Sequence, residues 1–139
     1  MTMNLNETSK EFYSDFDIEF RRNALTGDVI KKKNLDDIRQ SLGLLLKTRF
    51  YDRKWHPEIG SYVPTMLFEQ DDEYFRTVLT KQITNLIAKY EPRISVVSIN
   101  IDHESAQDMF HGRLTIRINY TVNVLNIKDT YVYSINRLR

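Results

Sequence analysis

At Pro92 the spacing of the apolar residues changes period, and no other feature constrains the fold as much. Before it, Phe75, Val78, Leu79, Ile83, Leu86, Ile87 and Tyr90 recur at steps of three and four, which is one buried face of a helix. Asp71 or Asp72 supplies the N-cap, and Pro92 stops the helix near Tyr90. After Pro92 the period is two. Ile94 and Val96 point one way and Val97, Ile99 and Ile101 the other, which predicts a bulge or a strand covered on both faces. His103 to Gly112 reads as a polar connector. Leu114, Ile116, Ile118, Tyr120, Val122 and Val124 then alternate without fault against polar residues, as in a long strand with one face on a core. Asn126 to Asp129 reads as a turn, and Tyr131, Tyr133 and Ile135 alternate in a last strand.

Upstream, Asn34 is placed to cap a helix that has Asp36 and Asp37 in its first turn, where the helix dipole favours acids. Leu35, Ile38, Leu42, Leu45 and Arg49 keep 3-4-3-4 spacing, so this helix runs from about Leu35 to Thr48 or Arg49. Phe50 to Gly60 is a loop closed by Pro57 and Gly60, with Trp55 expected as its packing anchor. Ser61 to Gln70 holds a short helical turn with Val63, Leu67 and Phe68 inward. Thr26-Gly27-Asp28 signals a turn, and Val29 to Lys33 reads as a short edge strand guarded by its lysines. The stretch around Phe12 to Phe20 admits two readings. Phe16, Ile18 and Phe20 alternate with acids as in a strand, while Phe12, Phe16 and Phe20 also share one helical face. Either form exposes large aromatics, so residues 1–25 are expected to form a docking arm and 26–139 the domain. The expected fold is α+β: a single two-layer domain with a short N-terminal strand, two helices and an antiparallel meander.

Bulk properties narrow the function classes. A chain of 139 residues can bury a core without staples. The absence of cysteine excludes disulfide frameworks, thiolate zinc sites and cysteine nucleophiles, and it fits synthesis in a reducing cytoplasm. A net charge of +1 argues against bulk nucleic acid or an anionic membrane as the main partner. There is no apolar run of about 18 residues to span a membrane, and residues 1–10 lack the apolar core of a signal peptide.

Tests for catalysis fail one by one. A glycosidase needs two carboxyls about 5–5.5 or 6.5–9.5 Å apart, one of them in an apolar pocket. The acids here lie at helix starts, in polar loops or in the arm, and Glu91 has Arg93 beside it, a cation that disfavours a general acid. Asp102, His103, Glu104 and His111 could bracket a metal, but two imidazoles and two acids in a polar connector fit a solvated loop better. There is no nucleophile elbow and no glycine-rich phosphate loop. Neither a cofactor nor a metal is expected. On residue chemistry, Glu91-Pro92-Arg93 is a helix end with a local ion pair, Arg93 forking onto a carboxylate or onto orphan carbonyls.

Five segments then stand in order: Ile38-Arg39-Gln40-Ser41-Leu42, Leu45-Leu46-Lys47-Thr48-Arg49, Arg53 with Pro57-Glu58-Ile59-Gly60-Ser61, Leu67-Phe68-Glu69, and Tyr90-Glu91-Pro92-Arg93-Ile94. Together they resemble the baseplate wedge family of contractile-tailed phages, which has counterparts in type VI secretion baseplates and often carries the label lysozyme-like. The resemblance covers about residues 14 to 125. It implies an α+β domain in the inner ring of a baseplate, in several copies, docked on other wedge proteins and starting the tail sheath. It makes Glu91, Pro92 and Arg93 an assembly motif as well as a helix end. The segment Tyr13-Ser14-Asp15-Phe16-Asp17 resembles the short arm of phage members, which favours a virion over a secretion system. Two departures fall in the loop after the first helix. A glycine is common there before the arginine, where this chain has Tyr51-Asp52-Arg53, and Ile59 replaces the usual aromatic before Gly60. The tyrosine-bearing edge of the last strand, at Tyr131, Tyr133 and Ile135, is the expected seat of sheath arms. Peptidoglycan hydrolysis and a free adaptor on the same fold are the readings from other classes.

Overall fold

A computed structural model describes residues 13–66, 72–105 and 112–136. The chain divides into two compact units, residues 1–41 and 42–139. In the first, strand β1 (Ser14–Phe16) pairs antiparallel with β2 (Lys31–Lys33), in register Ser14↔Lys33, Asp15↔Lys32 and Phe16↔Lys31. The strand form of the arm is therefore the one observed for Ser14–Phe16; Phe12 lies outside the described residues. The start of helix α1 (Leu35–Lys47) holds this hairpin, since Gln40 Nε2 donates to the Phe16 carbonyl at 2.8 Å and its Oε1 accepts from Ile18 N at 3.1 Å. Asn34 precedes α1 with a left-handed φ of 51°, which asparagine tolerates, and its N–H donates to the Tyr13 carbonyl at 2.8 Å.

The second unit takes the rest of α1, then α2 (Val63–Met66), α3 (Glu73–Tyr90), β3 (Ile94–Ser105), β4 (Gly112–Val122) and β5 (Ile127–Asn136). Asp72 Oδ1 accepts from Phe75 N at 2.6 Å, a capped helix start. α3 buries Phe75, Leu79, Ile83 and Ile87 on one face. The three strands form one antiparallel sheet in the order β3-β4-β5. The alternation of β4 has a direct consequence: Leu114, Ile116, Ile118, Tyr120 and Val122 are all 0% exposed. Of the two options for β3, a bulge or a strand covered on both faces, the bulge is the one present. The register shifts between Val96 and Ser98, which leaves Val97 exposed and returns Ile94, Val96, Ile99 and Ile101 to the same face. The hairpin turn falls at residues 123–126, three earlier than expected. Asn126, at φ 51°, makes the left-handed step, and Val124 stands exposed in the turn instead of extending the strand. Of the short helical turn, α2 with buried Val63 is seen; Leu67 and Phe68 lie outside the described residues. No described helix is long and apolar enough to cross a membrane.

Candidate functional site

The junction after α3 is built by its own sequence. Glu91 N donates to the Ile87 carbonyl at 2.8 Å, closing the helix, and its φ of −130° turns the chain away. Its side chain is buried, and Arg93 grips both oxygens, Nε to Oε1 at 2.5 Å and Nη2 to Oε2 at 2.7 Å. The fork falls on a carboxylate, one of the two options the sequence allowed. Asn123 then ties the junction to the far end of β4. Its N–H donates to the Arg93 carbonyl at 3.0 Å, its side-chain amide donates to the Pro92 carbonyl at 3.1 Å, and its Oδ1 accepts from Ser95 Oγ at 2.7 Å. A carboxylate held at both oxygens fixes a turn; it is poorly placed to deliver a proton.

The second region is the β5 edge. β5 pairs with β4 without a break from Arg113↔Asn136 to Val122↔Ile127. Among the described residues no strand pairs with its other side. Tyr133 is buried, and Tyr131 and Ile135 are partly buried, so these three side chains line the inner face. Burial pushes both tyrosine hydroxyls above their ordinary pKa and keeps them neutral. Tyr131 lies so close to Gly43 that a Cβ there would come within 2.7 Å of the tyrosine hydroxyl. The open feature of this edge is thus its backbone, with Lys128, Thr130, Val132, Ser134 and Asn136 on the outer face. That face satisfies itself. Asn119 accepts from Thr130 at 2.7 Å and donates to Ser98 at 2.9 Å, Arg117 pairs with Asp102 at 2.9 Å, and Arg113 donates to Asn136 at 3.1 Å.

The loop after α1 corrects one expectation. Trp55 is 85% exposed, so it anchors no packing. Gly60, one of the two residues expected to close this loop, lies so near the Phe50 backbone that a Cβ there would collide with it, and this close approach admits only glycine. Arg53 and Pro57 are exposed with Trp55. Tyr51 takes a φ of 70° in the turn where the family resemblance favours a glycine, and its N–H donates to the Pro57 carbonyl at 3.1 Å.

In the first unit Phe16, Ile18 and Phe20 are exposed, Phe20 at 70% with a φ of 50°. Between Phe16 and Ile18 in the chain, Asp17 centres a cluster that sequence reasoning missed. Asp17 is shielded from solvent, its Oδ2 accepts from Arg21 Nε at 2.6 Å, and Lys32 Nζ stands 3.6 Å from Oδ1. The hydrogen bond from Arg21 outweighs burial and holds this carboxyl below its ordinary pKa. The i, i+4 spacing of Asp17 and Arg21 was its available signal, but that spacing suggests a helix, and here it spans a turn.

The family described as baseplate wedge protein gp25 matches residues 32–126. The baseplate wedge protein gp25 of Enterobacteria phage T4 is 30% identical over 91 residues, covering 66% of this chain and 68% of that protein. A provisionally named tail lysozyme from Geobacter sulfurreducens superimposes with a TM-score of 0.64 at 25% identity, over 74% of this chain and 89% of that one. A chain of the anti-feeding prophage baseplate superimposes with a TM-score of 0.62 over 88% of this chain and 83% of that one, and its 16% identity speaks for the fold alone.

Proposed function

The chain belongs to the baseplate wedge protein gp25 family, and from that premise we propose that it docks on other wedge proteins and starts the sheath of a contractile tail by offering the β5 edge to an extended arm of the sheath protein. It is a baseplate component of a contractile tail system, and its place is the tail of the virion. The observation that carries the finer reading is the unbroken β5 edge, whose outer side is unpaired among the described residues. Each added hydrogen bond contributes only about 0.5–1.5 kcal/mol net. Several copies held in a ring multiply that contribution through effective concentration, so a sheath grows from the baseplate rather than in free solution. In this reading Glu91, Pro92 and Arg93 hold the start of the sheet in the single geometry that assembly requires. Phe16 and Phe20, exposed on the hairpin, dock the arm on a neighbouring wedge protein.

Val132→Lys with Ser134→Lys tests the reading. Both residues are exposed, so the fold should persist while charge on the edge repels an incoming arm. The double variant should enter baseplates normally and fail to grow sheath; sheaths of normal length and yield would sink the idea. The lysozyme name of the Geobacter sulfurreducens relative favours a second reading, peptidoglycan hydrolysis. Zymography of the purified chain separates the two, and a clearing band would establish the enzyme.

A further inference from the structure

We infer that the tip of the loop after α1, residues 51–57, is a docking knob whose anchor, Trp55, enters an apolar pocket rimmed by carboxylates on a neighbouring baseplate protein. This rests on the baseplate reading above and adds a surface distinct from the β5 edge.

Three observations carry it. The first is exposure. Trp55 and Tyr51 are 85% and 83% exposed, and Trp55 is the only tryptophan in the chain. Tryptophan, tyrosine and arginine are the side chains that most often anchor protein interfaces, and this tip carries one of each, with Arg53 exposed between the two aromatics. The second is bracing. Tyr51 N donates to the Pro57 carbonyl at 3.1 Å and His56 N to the Arg53 carbonyl at 3.2 Å. Asp52 Oδ2 accepts from Arg49 N at 2.9 Å, and Ser61 N donates to the Thr48 carbonyl at 2.8 Å. A loop fixed by its own backbone presents the indole with little ordering left to lose on binding. Tyr51 also keeps a left-handed φ of 70° where glycine would sit without strain, so the turn retains an exposed aromatic at a conformational cost.

The third is charge. The acids of the loop are engaged locally, Asp52 with Arg49 N and Glu58 with His56 at 3.2 Å. Arg53 and Lys54 have no ion-pair partner among the described residues, and Lys54 Nζ lies 6.0 Å from the indole centroid. Residues 51–57 carry Arg53 and Lys54 against Asp52 alone, a positive formal balance with His56 neutral, and this calls for carboxylates around the receiving pocket.

The single tryptophan makes the test direct. The chain is made with 5-hydroxytryptophan in place of Trp55, assembled into sheathless baseplates, and its emission, excited apart from that of ordinary tryptophan, is quenched with acrylamide. The free chain should be strongly quenched and the assembled chain largely protected. Trp55→Ala should fold as the wild type does and compete for places in the baseplate roughly 30-fold less well, the scale of an interface hot spot. Arg53→Glu with Lys54→Glu should weaken entry and remove its salt dependence; unchanged entry overturns the carboxylate rim. Incorporation with Trp55 still fully quenchable overturns the knob alone. A chain that never enters baseplates overturns the proposed function and the knob with it.

Discussion

The sheet has two outer strands, and they end it in different ways. β3 pairs with β4 through a register that slips at Val97, and its first residues are pinned by the Glu91–Arg93 fork and by Asn123. β5 pairs with the same central strand without a slip. A bulge coils a strand and spoils it as a template, whereas a regular edge repeats its unpaired backbone groups at even intervals. One sheet thus carries a blunted edge and an open one. The strand addition proposed above would use that asymmetry, and each variant below tests one part of it.

The pinned start of β3 should give the largest effect. Arg93→Ala leaves the buried Glu91 carboxylate without its fork, and breaking a buried pair costs about 3 kcal/mol. Urea unfolding should show that loss, and hydrogen exchange should accelerate first around Ile94–Val96 while β5 keeps its protection. A loss under about 1 kcal/mol would mean that surface-like pairing, not burial, governs the fork.

At the opposite edge a buried side-chain bond adds to the ladder that joins the central strand to the start of β5. Tyr120, 0% exposed, donates its hydroxyl to Asp129 Oδ2 at 2.6 Å. Tyr120→Phe keeps the ring and removes the donor, at about 1.5 kcal/mol for a bond to a charged acceptor. Exchange should rise at Ile127–Thr130 and nowhere in β3. A loss spread over both outer strands would show that the two edges are one cooperative unit.

The sheet and α3 were legible because their signals are periodic: five inward residues of β4 at a strict period of two, and a helix bounded by Asp72 and Pro92. Even the bulge was legible, since Val96 and Val97 are adjacent apolar residues in an otherwise alternating run. What escaped depends on contacts that period does not encode. The turn at residues 123–126 was misplaced because Val124 continues the alternation and only the left-handed Asn126 ends it. Trp55 reads as an anchor because large aromatics are usually covered, yet it is exposed, and the close contact with Phe50 is made instead by Gly60, which the sequence also marks as a residue closing the loop. The inward aim of Tyr131 follows from Gly43 in α1, far away in sequence, which leaves room for its hydroxyl. Of the candidate site, the Glu91–Arg93 pair was readable from adjacency, but its tie to Asn123 was not.

The smallest change in stability should come from the residue that separates the edges most clearly. Removing Val97 leaves Ile94, Val96, Ile99 and Ile101 inward and Ser95, Ser98, Asn100 and Asp102 outward, in unbroken alternation. The partners on β4 then run consecutively from Val122 to Thr115, because Val96 already pairs with Tyr120 and Ser98 with Asn119. The deletion therefore moves no core side chain, and the folding free energy should change by less than about 1 kcal/mol. It does convert β3 into a second regular edge. The purified variant should associate edge to edge as its concentration rises, in sedimentation runs where the wild type shows no comparable change. In baseplates it should still start sheaths, since β5 is untouched. A variant that sediments as the wild type does at every concentration would show that the bulge is not what blunts β3, and that the asymmetry of the sheet resides in the pinned junction at Glu91 and Arg93.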